Sequence, residues 1–292
     1  MTRLLVLLAL LAAPAQEALA PGKSRLVEES RVELVAGDAP VILSAPHGGR
    51  LKPEGVADRK AGVLLADTNT DLLAREFGKA FHALTGRHAH LVFCHLHRVK
   101  VDCNRPLDDA TEGDPQAQAT WRAYHLGIAE ARAAVARVHG RGLYLDLHGH
   151  AHPEPRIELG YLLKHSELKE PDEALGGMAA RSSVRDLAGR TKAGFLELLR
   201  GPTSLGGLLE KRGFASVPSP KHPHNGDGPY FNGGYSTLAH GSREAGTISA
   251  VQLETPGPGV RSGEESRKKF AAALAEAVVE YLRIHAGIDL KP

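Results

Sequence analysis

Cysteine is scarce in this sequence. Among 292 residues only Cys94 and Cys103 carry a thiol, so the chain can form at most one disulfide bond within itself, and the sequence leaves open whether it does. Two cysteines are also too few for a zinc site made of thiolates alone. A metal site in this protein would have to draw on histidine and carboxylate side chains.

Long blocks of like charge are absent as well. Lys and Arg number 36 against 34 Asp and Glu, which gives a net charge of +2, and these residues are scattered along the chain. Without a basic patch or stripe, the sequence indicates no nucleic-acid partner. We expect a small-molecule or peptide substrate instead.

Only one long apolar run occurs, and it lies at the N-terminus. Arg3 precedes the run from Leu4 to Ala13, and Ala18-Leu19-Ala20 follows it, which is the pattern of a secretory signal with a cleavage site after Ala20. The run is too short for a stable membrane span. We expect residues 1–20 to be a signal peptide, residues 21–292 to be a single domain, and the mature protein to be periplasmic or extracellular.

Histidine, by contrast, is abundant. The chain has 16 histidines, and several share short segments with glycine and acidic residues, which is the composition that a metal site needs. The residues are 42% hydrophobic and 24% charged, as in globular proteins with a large core.

Apolar runs alternate with segments of helical periodicity along the chain. We predict strands over 32–35, 40–44, 90–96, 143–147, 157–163 and 249–254, and helices over 71–84, 116–138 and 264–286. Residues 176–212 are expected to be helical in pieces, and 215–246 to be largely loop. Such alternation predicts a three-layer α/β/α sandwich around a mainly parallel mixed sheet.

Three residues with useful chemistry stand where predicted strands end. His47 lies in SAPHGG, His148 in DLHGH and Glu254 in VQLE. The ligand crevice of such a sheet lies beyond the carboxyl ends of its strands, and zinc favours imidazole nitrogen with an oxygen partner. We therefore expect both histidines to bind one ion, with Asp146 as an acceptor that orients an imidazole.

An ordered set of short motifs resembles the N-formylglutamate amidohydrolase family. The set covers about residues 40–255 and consists of SAPHGG, ADTNTD (66–71), HRVKVDCNRP (97–106), DLHGH, GGYST (233–237) and VQLE. The resemblance implies a phosphorylase/hydrolase-like fold shared with zinc carboxypeptidases and N-acetylmuramoyl-L-alanine amidases. It also implies one Zn²⁺ ion and hydrolysis of an amide bond in an N-acyl amino acid or small peptide.

The positions that match the family's metal ligands are His47, Asp67 and His148. The compact H-x-x-E motif of carboxypeptidases is absent, because Arg50 occupies the third position after His47. The carboxylate must therefore come from farther along the chain. Asp67 is our choice, and Asp71 is the alternative.

Glu254 matches the late strand-end glutamate of these folds. Three protein ligands leave zinc one position for water, and we expect Glu254 to act on that water as general base and then as general acid. Asn104 and Arg105 resemble an Asn-Arg pair near substrate, and a guanidinium can clasp a carboxylate with two bonds or polarise a carbonyl. Further residues expected at the pocket are Arg98, Gly234, Tyr235 and, as a donor to the transition state, His240.

Two other functions stay open at this stage. An exported peptidoglycan or peptide amidase would have an open cleft, whereas a small-substrate enzyme would have its cleft covered by the loop at 215–246. A non-catalytic zinc-binding protein would close the metal site with a fourth protein ligand.

Overall fold

The computed structural model describes residues 19–290. All but the last two residues of the predicted signal peptide lie outside this range. Within it, the strands are β1 (Ser24–Val27), β2 (Val32–Val35), β3 (Val41–Ala45), β4 (His90–Cys94), β5 (Gly142–His150), β6 (Ile157–Gly160), β7 (Ser216–Val217) and β8 (Ile248–Pro256).

The α-helices of the same range are three long and seven short ones. None of them has the length and the apolar character that crossing a bilayer requires. They are α1 (Thr70–Thr85), α2 (Leu107–Thr111), α3 (Pro115–His139), α4 (His165–Leu168), α5 (Asp172–Gly176), α6 (Arg185–Arg190), α7 (Phe195–Arg200), α8 (Leu205–Lys211), α9 (Tyr235–His240) and α10 (Glu264–His285).

The strands form one mixed sheet in the order β1-β2-β4-β3-β5-β8-β6-β7. Its centre is parallel, because β3 pairs with β4 and β5, and β5 pairs with β8, all in the same direction. At one edge β2 runs antiparallel to both of its neighbours, β4 and β1. On the other side of the sheet β6 runs antiparallel to β8. The predicted mainly parallel mixed sheet is confirmed.

Helices cover both faces of this sheet. Phe77 of α1 and Phe270 of α10 are fully buried in one core cluster, and Tyr124 of α3 is fully buried in the other. Successive residues of β3 serve opposite faces, since Leu43 belongs to the first cluster and Ile42 to the second, as the alternation of side chains along a strand requires. The predicted three-layer arrangement is confirmed.

The central strands β5 and β8 extend further than the sequence indicates. Both have nine residues and pair over their full length, from Gly142 with Ile248 to His150 with Pro256. Continuous main-chain hydrogen bonding to a parallel neighbour keeps the polar DLHGH segment extended. His148 and Glu254 therefore lie within the sheet and do not follow it.

Candidate functional site

Three neighbouring strands bring the site together. His47 is the second residue after β3, His148 lies near the end of β5, and Glu254 lies in β8 directly beside His148 in the parallel register. Residues paired in this way project from the same face of a sheet. The strand order thus places these three residues, which are far apart in sequence, at one edge of the fold.

His47, His148 and Asp67 converge on one point. The Nδ1 atoms of both histidines lie 3.2 Å from the same oxygen, Asp67 Oδ2, and the ring centroids are 4.9 Å apart. All three side chains are buried, and one ligand atom from each lies within 4.8 Å of the others. Asp71 lies outside this group.

The second ring nitrogen of each histidine is held by a buried carboxylate. His47 Nε2 donates to Asp102 Oδ1 at 2.7 Å, and His148 Nε2 donates to Asp146 Oδ2 at 2.9 Å. Such a carboxylate fixes the tautomer and orientation of a metal-binding imidazole. Both rings are therefore held with Nδ1 facing Asp67.

This donor set fits a divalent cation. With Nε2 protonated, a neutral imidazole presents the Nδ1 lone pair to Asp67, whose ionised carboxylate can only accept. A cation between these atoms, or a second proton on each ring, makes the contact favourable. The separation of 3.2 Å is near the edge of about 3.3 Å in a tetrahedron with bonds of about 2.0–2.1 Å, and two imidazoles with one carboxylate are a ligand set of catalytic zinc.

The carboxylates around this point are held ionised. Burial raises the pKa of Asp67, but when each ring carries its second proton in place of a metal ion, the charge of His47 and hydrogen bonds from His148 and His47 outweigh the effect of burial, so the pKa of Asp67 lies well below its usual value. Asp102 has a pKa lowered in the same way, with His47 as the main opposing influence. Arg98 donates to both, at 3.4 Å to Asp67 Oδ1 and 3.0 Å to Asp102 Oδ2.

One carboxyl oxygen of Glu254 is left without a hydrogen bond by the described residues. Its Oε1 accepts a hydrogen bond of 3.0 Å from Gln252 Nε2, whereas its buried Oε2 has no hydrogen-bond partner within residues 19–290. Burial raises the pKa of Glu254 to about 8. A carboxyl group in this position can exchange a proton with a molecule beside the metal donors.

Asn104 lies inside the site, and Arg105 lies at its surface. Asn104 Nδ2 is 3.2 Å from His148 Nε2, and a side chain at Gly234 would overlap the Asn104 amide. Arg105 is exposed, and its guanidinium forms no hydrogen bond or ion pair with the part of the chain described. It is therefore available to an incoming anion.

His240 lies in a second layer of aromatic side chains. Its Nε2 donates to His125 Nδ1 at 2.8 Å, because the Nε2 proton of His125 goes to the Cys103 carbonyl at 3.0 Å. Burial lowers the pKa of His125 to about 4 and that of His240 to about 3. Tyr235 packs on His125, with ring centroids 5.3 Å apart. His240 forms no hydrogen bond or ring contact with the three candidate ligands.

The sequence reasoning missed Asp102, Gln252 and Arg261. Asp102 lies two residues before Asn104 in HRVKVDCNRP, and an acidic residue inside an otherwise basic motif is the signal that could have identified it. Gln252 lies two residues before Glu254 in VQLE, so the period of a strand puts both on one face. Arg261 follows the last strand, and no local pattern indicates that it is buried.

A second cluster of possible ligands is already satisfied by hydrogen bonds. His150 Nε2 donates to the Arg156 carbonyl at 2.8 Å, and its Nδ1 accepts from the His152 N–H at 3.1 Å. His152 Nδ1 lies 2.7 Å from Glu158 Oε1. A cation would have to displace these bonds, so His47, Asp67 and His148 form the better candidate centre.

Comparison with solved structures identifies the same fold in an N-formylglutamate amidohydrolase from Ralstonia eutropha JMP134. That match has a TM-score of 0.54 and 17% identity, and it covers 88% of this chain and 99% of the other. This likeness confirms the predicted hydrolase-like α/β fold and supports the family resemblance at the level of the fold.

Weaker matches carry no argument. They include a gene product of Agrobacterium tumefaciens, with a TM-score of 0.49 and 14% identity, which covers 86% of this chain and 94% of the other. They also include a succinylglutamate desuccinylase of Chromobacterium violaceum, with a TM-score of 0.39 and 14% identity, which covers 90% of this chain and 67% of the other. No protein-family model matches the chain, and no curated protein matches it.

We predict that the purified protein binds one zinc ion per chain. His148→Ala should reduce the bound zinc after dialysis to near zero, because it removes one of three ligands. His82→Ala, which changes an exposed histidine of α1, should retain the full amount. Elemental analysis of both variants measures this, and equal zinc contents would contradict the assignment.

Proposed function

We propose that this protein is a zinc-dependent amidohydrolase that cleaves the amide bond of an N-acyl amino acid, of the N-formyl type, or of a small peptide. The observation that carries the proposal is the meeting of two imidazole nitrogens and one carboxylate oxygen beside the uncommitted oxygen of Glu254. The fold shared with a protein named N-formylglutamate amidohydrolase supports this reaction class.

Each residue of the site has a separate role in the proposed hydrolysis. Zinc bound by His47, Asp67 and His148 would lower the pKa of a water molecule and polarise the amide carbonyl. Glu254 accepts the proton of the attacking water at Oε2 and then gives it to the leaving nitrogen. The hydrogen bond from Gln252 holds the other carboxyl oxygen in place during both transfers.

The exposed guanidinium beside the site is the proposed anchor for the substrate's carboxylate. Arg105 meets that group as a bidentate donor, and its neighbour in the chain, Asn104, lies 3.2 Å from Nε2 of the proposed ligand His148. Arg98 already donates to two carboxylates, so we place it behind the metal ligands. Gly234 and Tyr235 line the same region, and the donor role of His240 stays a prediction.

Glu254→Gln should reduce kcat by about 10²- to 10⁴-fold, the usual contribution of a general acid–base group. The zinc content should not change, because Glu254 is not a ligand. Release of free amine from N-formyl, N-acetyl and muramyl-peptide substrates measures the activity. Glu265→Gln, a change at an exposed position of α10, serves as the control, and an unimpaired Glu254→Gln enzyme would exclude the assigned role.

The same substrate panel separates the alternative functions. Hydrolysis of muramyl peptides alone would identify an exported peptidoglycan amidase. Zinc binding without hydrolysis of any amide would identify a non-catalytic zinc protein, and either result would replace the proposal made here.

Arg105→Ala should raise KM by about 10- to 100-fold for substrates with a free carboxylate, which corresponds to the loss of about 1.5–3 kcal/mol from a hydrogen bond to a charged group. Substrates in which that carboxylate is amidated should show little change. Arg122→Ala removes another exposed arginine, on α3, and should leave KM unaltered. Equal changes of KM for both substrate types would show that Arg105 does not bind the substrate's carboxylate.

We also propose that the enzyme acts after export. Family members that act in histidine breakdown meet N-formylglutamate in the cytoplasm. An exported enzyme would not meet that compound there, so we propose a class of substrates and do not name N-formylglutamate itself. N-terminal sequencing of protein recovered from outside the cytoplasm should begin at Pro21. Protein that retains Met1 would contradict the predicted cleavage.

A further inference from the structure

Arg261 is a buried cation whose side-chain hydrogen bonds all end on main-chain carbonyls. It lies at the end of the turn Gly257–Arg261 between β8 and α10, with 7% of its surface exposed. Its guanidinium forms no ion pair with any residue from 19 to 290. Burying an unpaired charge is costly, so we expect the buried guanidinium to have a structural role.

The guanidinium joins three segments that carry the site. Nε donates to the Thr255 carbonyl at 2.9 Å, and Nη2 donates to the His150 carbonyl at 3.2 Å. Nη1 donates to the Thr68 carbonyl, next to Asp67. One rigid planar group thus spans the ends of β8 and β5 and the loop that carries the proposed carboxylate ligand.

Gly149 makes this arrangement possible. A side chain at this position would overlap the guanidinium carbon of Arg261, so only glycine lets the cation pack against the main chain of β5. The N–H group of Gly149 donates to Asp67 Oδ2 at 3.1 Å. That oxygen is the one that faces both histidine Nδ1 atoms.

We propose that Arg261 is a positioning residue that fixes Asp67 relative to His148 and thereby sets the affinity of the site for its metal ion. It acts through main-chain groups and contacts neither the ion nor the substrate. The inference rests on the proposed function, because it takes Asp67 and His148 as zinc ligands. Zinc affinity can nevertheless be measured without substrate, by competition with a chromophoric chelator.

Gly149→Ala tests the contact while it keeps every hydrogen-bonding group. The added methyl displaces the guanidinium, and the zinc dissociation constant should rise by about 10- to 100-fold, the usual cost of disturbing groups that orient metal ligands. The kcat should fall while KM stays the same. Gly176→Ala is the matched control, because a methyl there meets open space.

Arg261→Lys tests the guanidinium itself. Lysine keeps the charge, but a single ammonium cannot reach three carbonyls in the geometry of a planar fork, so zinc affinity should fall again. In the double variant the alanine methyl has no guanidinium to displace. The loss of affinity should therefore be clearly smaller than the product of the two single losses.

The outcomes separate the inference from the function on which it rests. Unchanged zinc affinity in both single variants, or independent effects in the double variant, would overturn the role of Arg261 even in an active enzyme. A wild-type protein that binds no zinc would overturn both, and this is seen before any variant is made. If Arg261→Lys fails to fold, Gly149→Ala alone decides.

Discussion

Two imidazole nitrogens share one oxygen of Asp67, and positive charge at that point is what makes the arrangement stable. The surrounding structure serves this contact. Asp102 and Asp146 orient the two imidazole rings by accepting hydrogen bonds from their Nε2 atoms. Arg98 donates hydrogen bonds to Asp67 and Asp102. A metal ion would bind donors that are already oriented, which keeps the entropic cost of assembling the site low.

The sequence predicts the scaffold well where one pattern repeats over many residues. The apolar period of α1 gives a helix over 71–84, and the structure has Thr70–Thr85, which ends at Gly86 in the left-handed conformation that favours glycine. His47 and His148 were also identifiable, because parallel strands end at a common edge, whereas Asp67 was chosen through the family resemblance. Short elements such as β1, α2 and α9 escaped prediction, since one turn or four residues give too little periodicity.

The sequence does not reveal the residues that orient the candidate metal ligands without belonging to the ligand set. Asp102 is fully buried against His47, and the one local hint of this is its place as the single acidic residue of an otherwise basic motif. Gly149 reads as a flexible residue between two histidines, although its role is to admit a guanidinium from a distant turn. Such relations depend on contacts between segments that lie 55 and 111 residues apart, and only the folded chain specifies them.

The nine paired residues of β5 and β8 have a consequence for how the catalytic groups move. His148 and Glu254 are paired directly across the two strands, so shearing one strand against the other would break main-chain bonds along both strands at once. Their spacing is therefore as durable as the centre of the domain. Loops around the cleft can adapt to a substrate, but the distance between the proposed base Glu254 and the proposed ligand His148 stays constant as long as the sheet is folded.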